Sequence, residues 1–421
     1  MTISGPALLR SAVWPLLAAV AAASMSFYAV KIWSANQPAQ FSDLYATWWA
    51  THELFLHGRN PYSPALAHEI QTAIYGVPSK LSLDDPAGIA GGFAYPPYAV
   101  FLAWPTIFMS FHTAQRVFIV ISLLLTLFSI WLWLQALHFR VTRLIFFIFA
   151  VFILGSFPSL QGLKLQNPSL IAAALLAIAL FLISTDSLIL AGIFLAASTF
   201  KPQFTLLLIP WLALWSFSHW RLRRTLLWSF LASMLILCLT SEWLIPGWIS
   251  SFIRVVRSYR HYTYGHSLLD VWFNSTGGFA AVGLAIAVFA YCWRYRSQPA
   301  ESRAFSLVVS LLLAATLVVI PTLAPHAQLL LIPAVLCLLR DHSTVSTHTP
   351  TRLSSRAAWI LLACPWIAAF GLFLASFAMP PAELLSFWQL PLYVSPVMPL
   401  VLLFATVFAL RAHHFKTASG Q

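Results

Sequence analysis

The chain has 421 residues, of which 60% are hydrophobic and 8% charged, and 23 Lys+Arg against 11 Asp+Glu give a net charge of +12. Soluble globular chains are about 45–50% apolar and about 25% charged, so a water-soluble enzyme and a disordered chain are both excluded. The apolar runs are continuous for about twenty residues and do not alternate, which selects an all-α polytopic membrane protein over an outer-membrane barrel.

The first apolar run, residues 11–30 behind Arg10, is long for a signal-peptide core. It reads as a retained helix with its N-terminus inside. Basic clusters follow at Arg140/Arg143, Arg221/Arg223/Arg224, Arg294/Arg296/Arg303, Arg340/Arg352/Arg356 and Arg411/Lys416. Placing all of them in the cytoplasm satisfies the positive-inside rule, puts both termini inside and accounts for most of the positive charge without nucleic acid. The protein is expected in the plasma (inner) membrane, multi-pass.

That orientation makes residues 34–113 an extracytoplasmic loop, facing the periplasm or the cell exterior. Within it, residues 43–57 form a helix capped by Ser42 and stopped by Gly58, with Asn60-Pro61 forbidding continuation. Asp43, Ala46, Ala50, Glu53 and His57 share one face, and Leu44, Trp48 and Phe55 another, so the helix reads as interfacial. Asp43 has two readings: an acid favoured by the helix dipole, or a base for an incoming hydroxyl. Trp48, Trp49, Tyr62 and Tyr95 either stack on sugar faces or form an interfacial aromatic belt. Residues 95–111 are short and contain Pro96, Pro97 and Pro105. They read as a broken element in the outer leaflet, because a crossing there would put Arg140 outside.

The following spans are 117–137, 144–160, 168–184, 226–245, 277–293, 305–320, 328–339, 357–377 and 392–410. The run 187–215 is broken at Lys201-Pro202 into two half-helices meeting near the outer face, where a charged residue lines a polar cavity. With the first helix this makes about ten full spans plus the broken pair. The chain is one integral membrane domain: the loop 34–113, a core to 340, a Ser/Thr/His-rich cytoplasmic linker 341–356, and a C-terminal helix pair and tail 357–421.

The outer acids form no tight pair, since Asp84 and Asp85 are adjacent and diverge, so no catalytic divalent metal is expected. The cysteines, Cys238, Cys292, Cys337 and Cys364, are isolated in apolar stretches and read as buried thiols. The cations outside the cytoplasmic clusters are Lys31, Arg59, Lys80, Arg116, Lys164, Lys201, Arg254, Arg257 and Arg260. Arg254, Arg257 and Arg260 recur along one helix face, either as a solvated stripe or as a cradle for a phosphate. Lys164 lies in an outer turn with Gln166 and Asn167, where snorkelling is the plain reading. His326 lies in a Pro-rich outer turn, as a hydrogen-bonded structural residue or as a ligand-binding one.

The ordered set of these pieces resembles glycosyltransferase family 87, the alpha-mannosyltransferase-like group of GT-C membrane glycosyltransferases. The pieces are the acid in an aromatic helix, Gly58-Arg59-Asn60-Pro61-Tyr62-Ser63, Tyr95-Pro96-Pro97, Gly162/Gln166-Asn167, Ala191-Gly192 running to Lys201-Pro202, and Pro321/Pro325-His326. The resemblance implies a GT-C-type bundle of about ten to twelve transmembrane helices. It implies a polyprenyl-phosphate sugar donor, a mannose-like hexose, a glycolipid or polysaccharide acceptor, inverting transfer on the outer face, and no cofactor. Asp43 falls at the family's presumed base. Lys201, His326, Lys164, Gln166, Asn167, Tyr62, Tyr95 and the Arg254–Arg260 stripe fall at substrate-binding positions. The turn at Ala324-Pro325-His326-Ala327 departs from the family by lacking a Trp and a second His. A lipid-sugar flippase and a non-catalytic partner in envelope polysaccharide assembly are the competing readings.

Overall fold

The computed structural model describes residues 42–76, 91–139, 142–262, 267–321, 324–342, 370–380 and 397–419, with a few isolated positions. The expected first helix 11–30 and the linker 341–356 fall almost wholly outside the described residues. Among the described residues every regular element is a helix.

Helix α1, Asp43–His57, has the expected ends: the Ser42 hydroxyl accepts from the Leu44 N–H, and Gly58 turns left-handed at φ 64°. It is more deeply packed than an interfacial helix, because Leu44, Tyr45, Thr47, Trp48, Ala50, Thr51 and Glu53 are all buried. Its cover is the chain at 97–106, a series of short turns broken at Pro97 and Pro105. There Trp48 Nε1 donates to the Thr106 carbonyl at 3.1 Å, which commits that indole to packing. Phe101, Trp104, Phe108 and Met109 of the same stretch stay exposed as an apolar patch. Helix α2, Pro64–Tyr75, begins at the Ser63 cap.

The long helix α3, Phe111–Ala136, leads to α4, Arg143–Leu154, and α5, Phe157–Lys164. The run 144–160, expected as one span, is bent by 59° between α4 and α5. Ser156 is extended there and Pro158 follows at the start of α5, so the hydrogen-bond ladder cannot pass through. Helix α6, Ser169–Ser184, is buried along most of its length. Helix α7, Leu188–Ser198, and helix α8, Leu208–Ser218, are the two halves of the broken run, joined through Lys201 and the 3-10 turn Pro202–Thr205.

Helix α9, Trp220–Leu244, packs along α7. A Cβ at Gly192 would fall 2.0 Å from Ser229 Oγ and 2.7 Å from the Leu226 carbonyl, so only glycine permits that approach. The rest of α9 turns Trp228, Leu235, Ile236, Leu239 and Trp243 outward, an apolar surface suited to lipid. After α10, Trp248–Tyr262, and α11, Leu268–Phe273, come α12, Gly277–Trp293, and α13, Arg303–Val319. Helix α13 is buried along nearly its whole length, packed by α12, by α14, Ile332–His342, and by α15, Val397–Ser419.

Among the described residues three helices are long and apolar enough to cross a bilayer alone, and a fourth crossing follows if the bent α4–α5 pair counts as one. Six further apolar helices are 10–17 residues long. A helix spanning about 30 Å of hydrocarbon needs about 20 residues. Short helices meeting at breaks thus make up much of a membrane protein whose core is α6 and α13.

Candidate active site

Helix α5 ends in a Schellman motif. The Asn167 N–H donates to the Gly162 carbonyl at 2.8 Å and the Gln166 N–H to the Leu163 carbonyl at 3.2 Å. Gln166 occupies the left-handed place at φ 46°, usually held by glycine, at a strain of about 1–3 kcal/mol. Its side chain holds the turn in return: Nε2 donates to the Leu163 and Lys164 carbonyls at 2.9 and 2.5 Å, while Oε1 accepts from Gln115 Nε2 at 2.8 Å. Gln166 is therefore committed to the scaffold.

The N-terminus of α1 docks on this turn, with the Asp43 N–H donating to the Leu165 carbonyl at 2.8 Å. Asn167 then faces the Asp43 carboxylate, and its Nδ2 donates to Oδ2 at 2.5 Å. The orientation of that amide is fixed by its other end. Asn167 Oδ1 accepts from Lys201 Nζ at 2.8 Å and from the Ser169 N–H at 2.8 Å, so Oδ1 and Nδ2 cannot be exchanged without facing donor to donor. Lys201 Nζ also donates to Ser169 Oγ at 2.6 Å. A carboxylate, an amide and an ammonium from three separate segments thus form one chain of bonds. At the Lys201-Pro202 break Lys201 leaves the helical range, at φ −114° and ψ 77°, and its ammonium is flanked by the rings of Tyr95 and Phe204 at 5.6 and 5.7 Å.

Burial lifts the Asp43 carboxyl above its ordinary value of 3.8, while the Asn167 hydrogen bond and the Lys201 charge pull it back. The group is therefore a stronger base than a free carboxylate.

His326 opens the 3-10 turn Pro325–Leu331, which packs on α5. A Cβ at Gly162 would lie 3.2 Å from His326 Cβ and 3.1 Å from Leu170, so glycine lets the turn close on the helix. His326 is buried, and its Nδ1 has no hydrogen-bond partner among the described residues. A buried unmade bond costs about 1–3 kcal/mol, which a bound hydroxyl or phosphate oxygen would recover. Tyr62 is buried and donates its hydroxyl to the Tyr95 carbonyl at 2.6 Å, so it positions the Tyr95 segment. Lys164 ends α5, half-buried beside the turn.

The arginine stripe stands apart. Arg254 and Arg257 are exposed on α10, and no hydrogen bond or ion pair ties them to the Asp43 group among the described residues. Arg260 lies in the same helix, with its side chain outside the described residues. Three members of the site escaped sequence reading: Ser169, Gln115 and Tyr98. The Tyr98 hydroxyl donates to the Thr199 carbonyl at 3.1 Å and braces the break. Ser169 was recoverable as the first helical residue after Asn167-Pro168; Gln115 and Tyr98 carry no local signal.

The family model for glycosyltransferase family 87 matches residues 93–321, more than half of the chain. The chain belongs to glycosyltransferase family 87. The match contains Tyr95, Lys164, Gln166, Asn167, Lys201 and the arginine stripe, while Asp43, Tyr62 and His326 lie outside it. No curated protein and no solved structure matches the chain. A family 87 glycosyltransferase moves a sugar from a donor to an acceptor.

Proposed function

We propose that this family 87 protein transfers a mannose-like hexose from a polyprenyl-phosphate donor to a hydroxyl of a glycolipid or polysaccharide on the extracytoplasmic face, with inversion. The observation that carries this reading is the Asp43 carboxylate, held by Asn167 Nδ2 at 2.5 Å and so aimed from the end of a helix. The acceptor oxygen attacks the anomeric carbon as Asp43 takes its proton. The bond from that carbon to the phosphate oxygen breaks, and the polyprenyl phosphate leaves with the electron pair. A phosphate is already a good leaving group, so one carboxylate acting as base suffices, as it does in inverting glycosidases.

Lys201 supports the ionised carboxylate through Asn167 and fixes its geometry; two of its three N–H donors are spent on Asn167 and Ser169. His326 Nδ1 meets a substrate oxygen. Lys164 balances the charge growing on the departing phosphate, and Arg254, Arg257 and Arg260 supply a longer-range positive field that draws the anionic donor to the outer surface. An open apolar cavity of about 640 Å³, lined by Leu206, Leu207, Pro210, Ile286, Phe289 and Trp293, lies between α8 and α12, beyond the Lys201 break. It offers the isoprenoid tail a surface continuous with lipid.

Transfer from a synthetic polyprenyl-phosphate mannose by the purified protein in nanodiscs tests the reading. Asp43→Asn is expected to cut transfer by ~10²–10⁴ at unchanged expression and with a melting temperature no lower than that of the wild type. Full activity in that variant would remove the proposed base. For sidedness, a single cysteine at Ser63, on a background lacking the native cysteines, is expected to react with an impermeant maleimide added outside intact cells. Labelling only after lysis would place the site in the cytoplasm.

A further inference from the structure

The far end of α1 gathers a second polar group. Glu53 is 4% exposed. Its Oε2 accepts from Arg59 Nη1 at 2.8 Å, and Arg59 Nη2 bonds Glu69 Oε1 at 2.5 Å. Glu69 Oε2 accepts from Trp49 Nε1 at 3.1 Å. One oxygen of Glu53 is thus anchored through a chain of partners and the other, Oε1, is left to face two imidazoles. His52 Nδ1 lies 3.0 Å from it and His57 Nδ1 3.2 Å. All three donor atoms lie within 4.8 Å of one another.

A tetrahedral ion with N and O ligands at about 2.0–2.2 Å sets its donors roughly 3.3 Å apart. The two measured edges are close to that spacing. The His52 ring is held in place by stacking on Trp49, with centroids 5.2 Å apart and planes within 5°, and by Trp48 at 5.6 Å. Preset rings and an anchored carboxylate are the outer-shell supports that metal ligands ordinarily carry. The His57 side chain is 55% exposed, which leaves a fourth position open to water.

We infer that His52, Glu53 and His57 form a binding site for a transition-metal ion of the Zn²⁺ type, with two imidazole nitrogens, one carboxylate oxygen and a water as ligands. The site lies ten residues along α1 from Asp43, about 15 Å at 1.5 Å per residue, so the ion does not reach the reacting atoms. Its effect is structural. It ties the last turn of α1, just ahead of Gly58, to the chain that Arg59 anchors on α2.

The test uses full-length, tag-free protein in nanodiscs, stripped with EDTA and titrated with zinc sulfate against a chromogenic chelator, with melting followed in parallel. One saturable Zn²⁺ per chain is expected, with a rise in melting temperature from binding to the folded state alone. Mg²⁺ is expected to give neither, since imidazole ligands disfavour it. His57→Ala, at an exposed position, and His52→Ala are each expected to weaken Zn²⁺ by more than the ~10–100-fold typical of losing an outer-shell partner. A variant of the tail histidines, His413→Ala/His414→Ala, is expected to bind as the wild type does. Lack of saturable binding by the wild type would overturn the inference. So would equal affinity in the His52→Ala/His57→Ala double variant, or loss of binding in the tail variant.

Discussion

Lys201 and the Arg254/Arg257 stripe are both positive charge on what is proposed to be the outer side, and they end in opposite surroundings. Lys201 is 5% exposed and bonded to Asn167 and Ser169. Arg254 and Arg257 stand in the open on α10. The difference lies in what fixes each position. Lys201 sits at a backbone break, where it leaves the helical range ahead of Pro202 and its side chain meets Asn167 and Ser169. The arginines repeat along an intact helix, and periodicity aligns charges on a face without supplying anything opposite that face. A buried, bonded cation orients its neighbours at close range. An exposed one acts through a screened field.

That contrast orders the expected losses. Asp43→Asn comes first, because it removes the group that Lys201 and Asn167 serve; turnover should fall by ~10²–10⁴, the usual worth of a general base. Lys201→Met comes second. It deletes two hydrogen bonds and leaves Asn167 Oδ1 held by the Ser169 N–H alone, so about 10²-fold of kcat is expected to be lost through misplacement of the carboxylate, with KM little changed. A rise in KM at constant kcat would instead make Lys201 a donor-phosphate ligand. Lys201→Arg should not rescue, since a longer, planar guanidinium does not set one nitrogen on both Asn167 Oδ1 and Ser169 Oγ as the compact ammonium does.

The pH profile gives a smaller and more specific effect. Asp43 must be ionised to act, and burial raises its pKa above 3.8, so the acid limb of kcat/KM should fall at a pH above the ordinary carboxylate range. The sign for stability follows from the same shift. A carboxyl raised in the folded state stabilises the fold when protonated, below its unfolded pKa, and that contribution is lost as pH rises through the folded pKa. At neutral pH the wild type bears the cost of a buried charge that Asp43→Asn does not. The variant should therefore melt no lower than the wild type at pH 7, and its advantage should shrink as the pH is lowered. An unchanged acid limb in the variant, measured on its residual activity, would assign that limb to another group.

Where local chemistry decides, the fold was readable in the residues. Ser42 and Gly58 set the ends of α1, and Pro202 set the break, because caps and imino nitrogens act within one turn. Hydropathy alone does not show the bend in the run 144–160, because Pro158 is visible in the sequence but an apolar window registers no change of direction. The polar stripe of α1 suggested an interfacial helix. Its threonines are instead buried, with Thr51 Oγ1 bonding the Thr47 carbonyl at 2.6 Å. The bond from Asn167 to Asp43 joins residues 124 apart in the chain, a pairing no local pattern encodes. Asp43, Asn167 and Lys201 were singled out together through family resemblance, and the turn geometry then explains why an amide belongs between two charges.

The smallest effect is expected where the sequence pattern looked boldest. Arg254→Gln with Arg257→Gln leaves every described bond to Asp43, Asn167 and Lys201 in place, so the melting temperature and kcat should stay near wild type. What changes is the field met by an anionic lipid approaching the outer surface, and an exposed charge contributes to that field only within about 10 Å at 0.1 M salt. KM for the donor should therefore rise a few-fold at low ionic strength, and the difference from wild type should close as salt is added. A salt-independent loss of kcat would mean that α10 folds over the site during turnover, and the stripe would then join Lys201 as part of the same buried constellation.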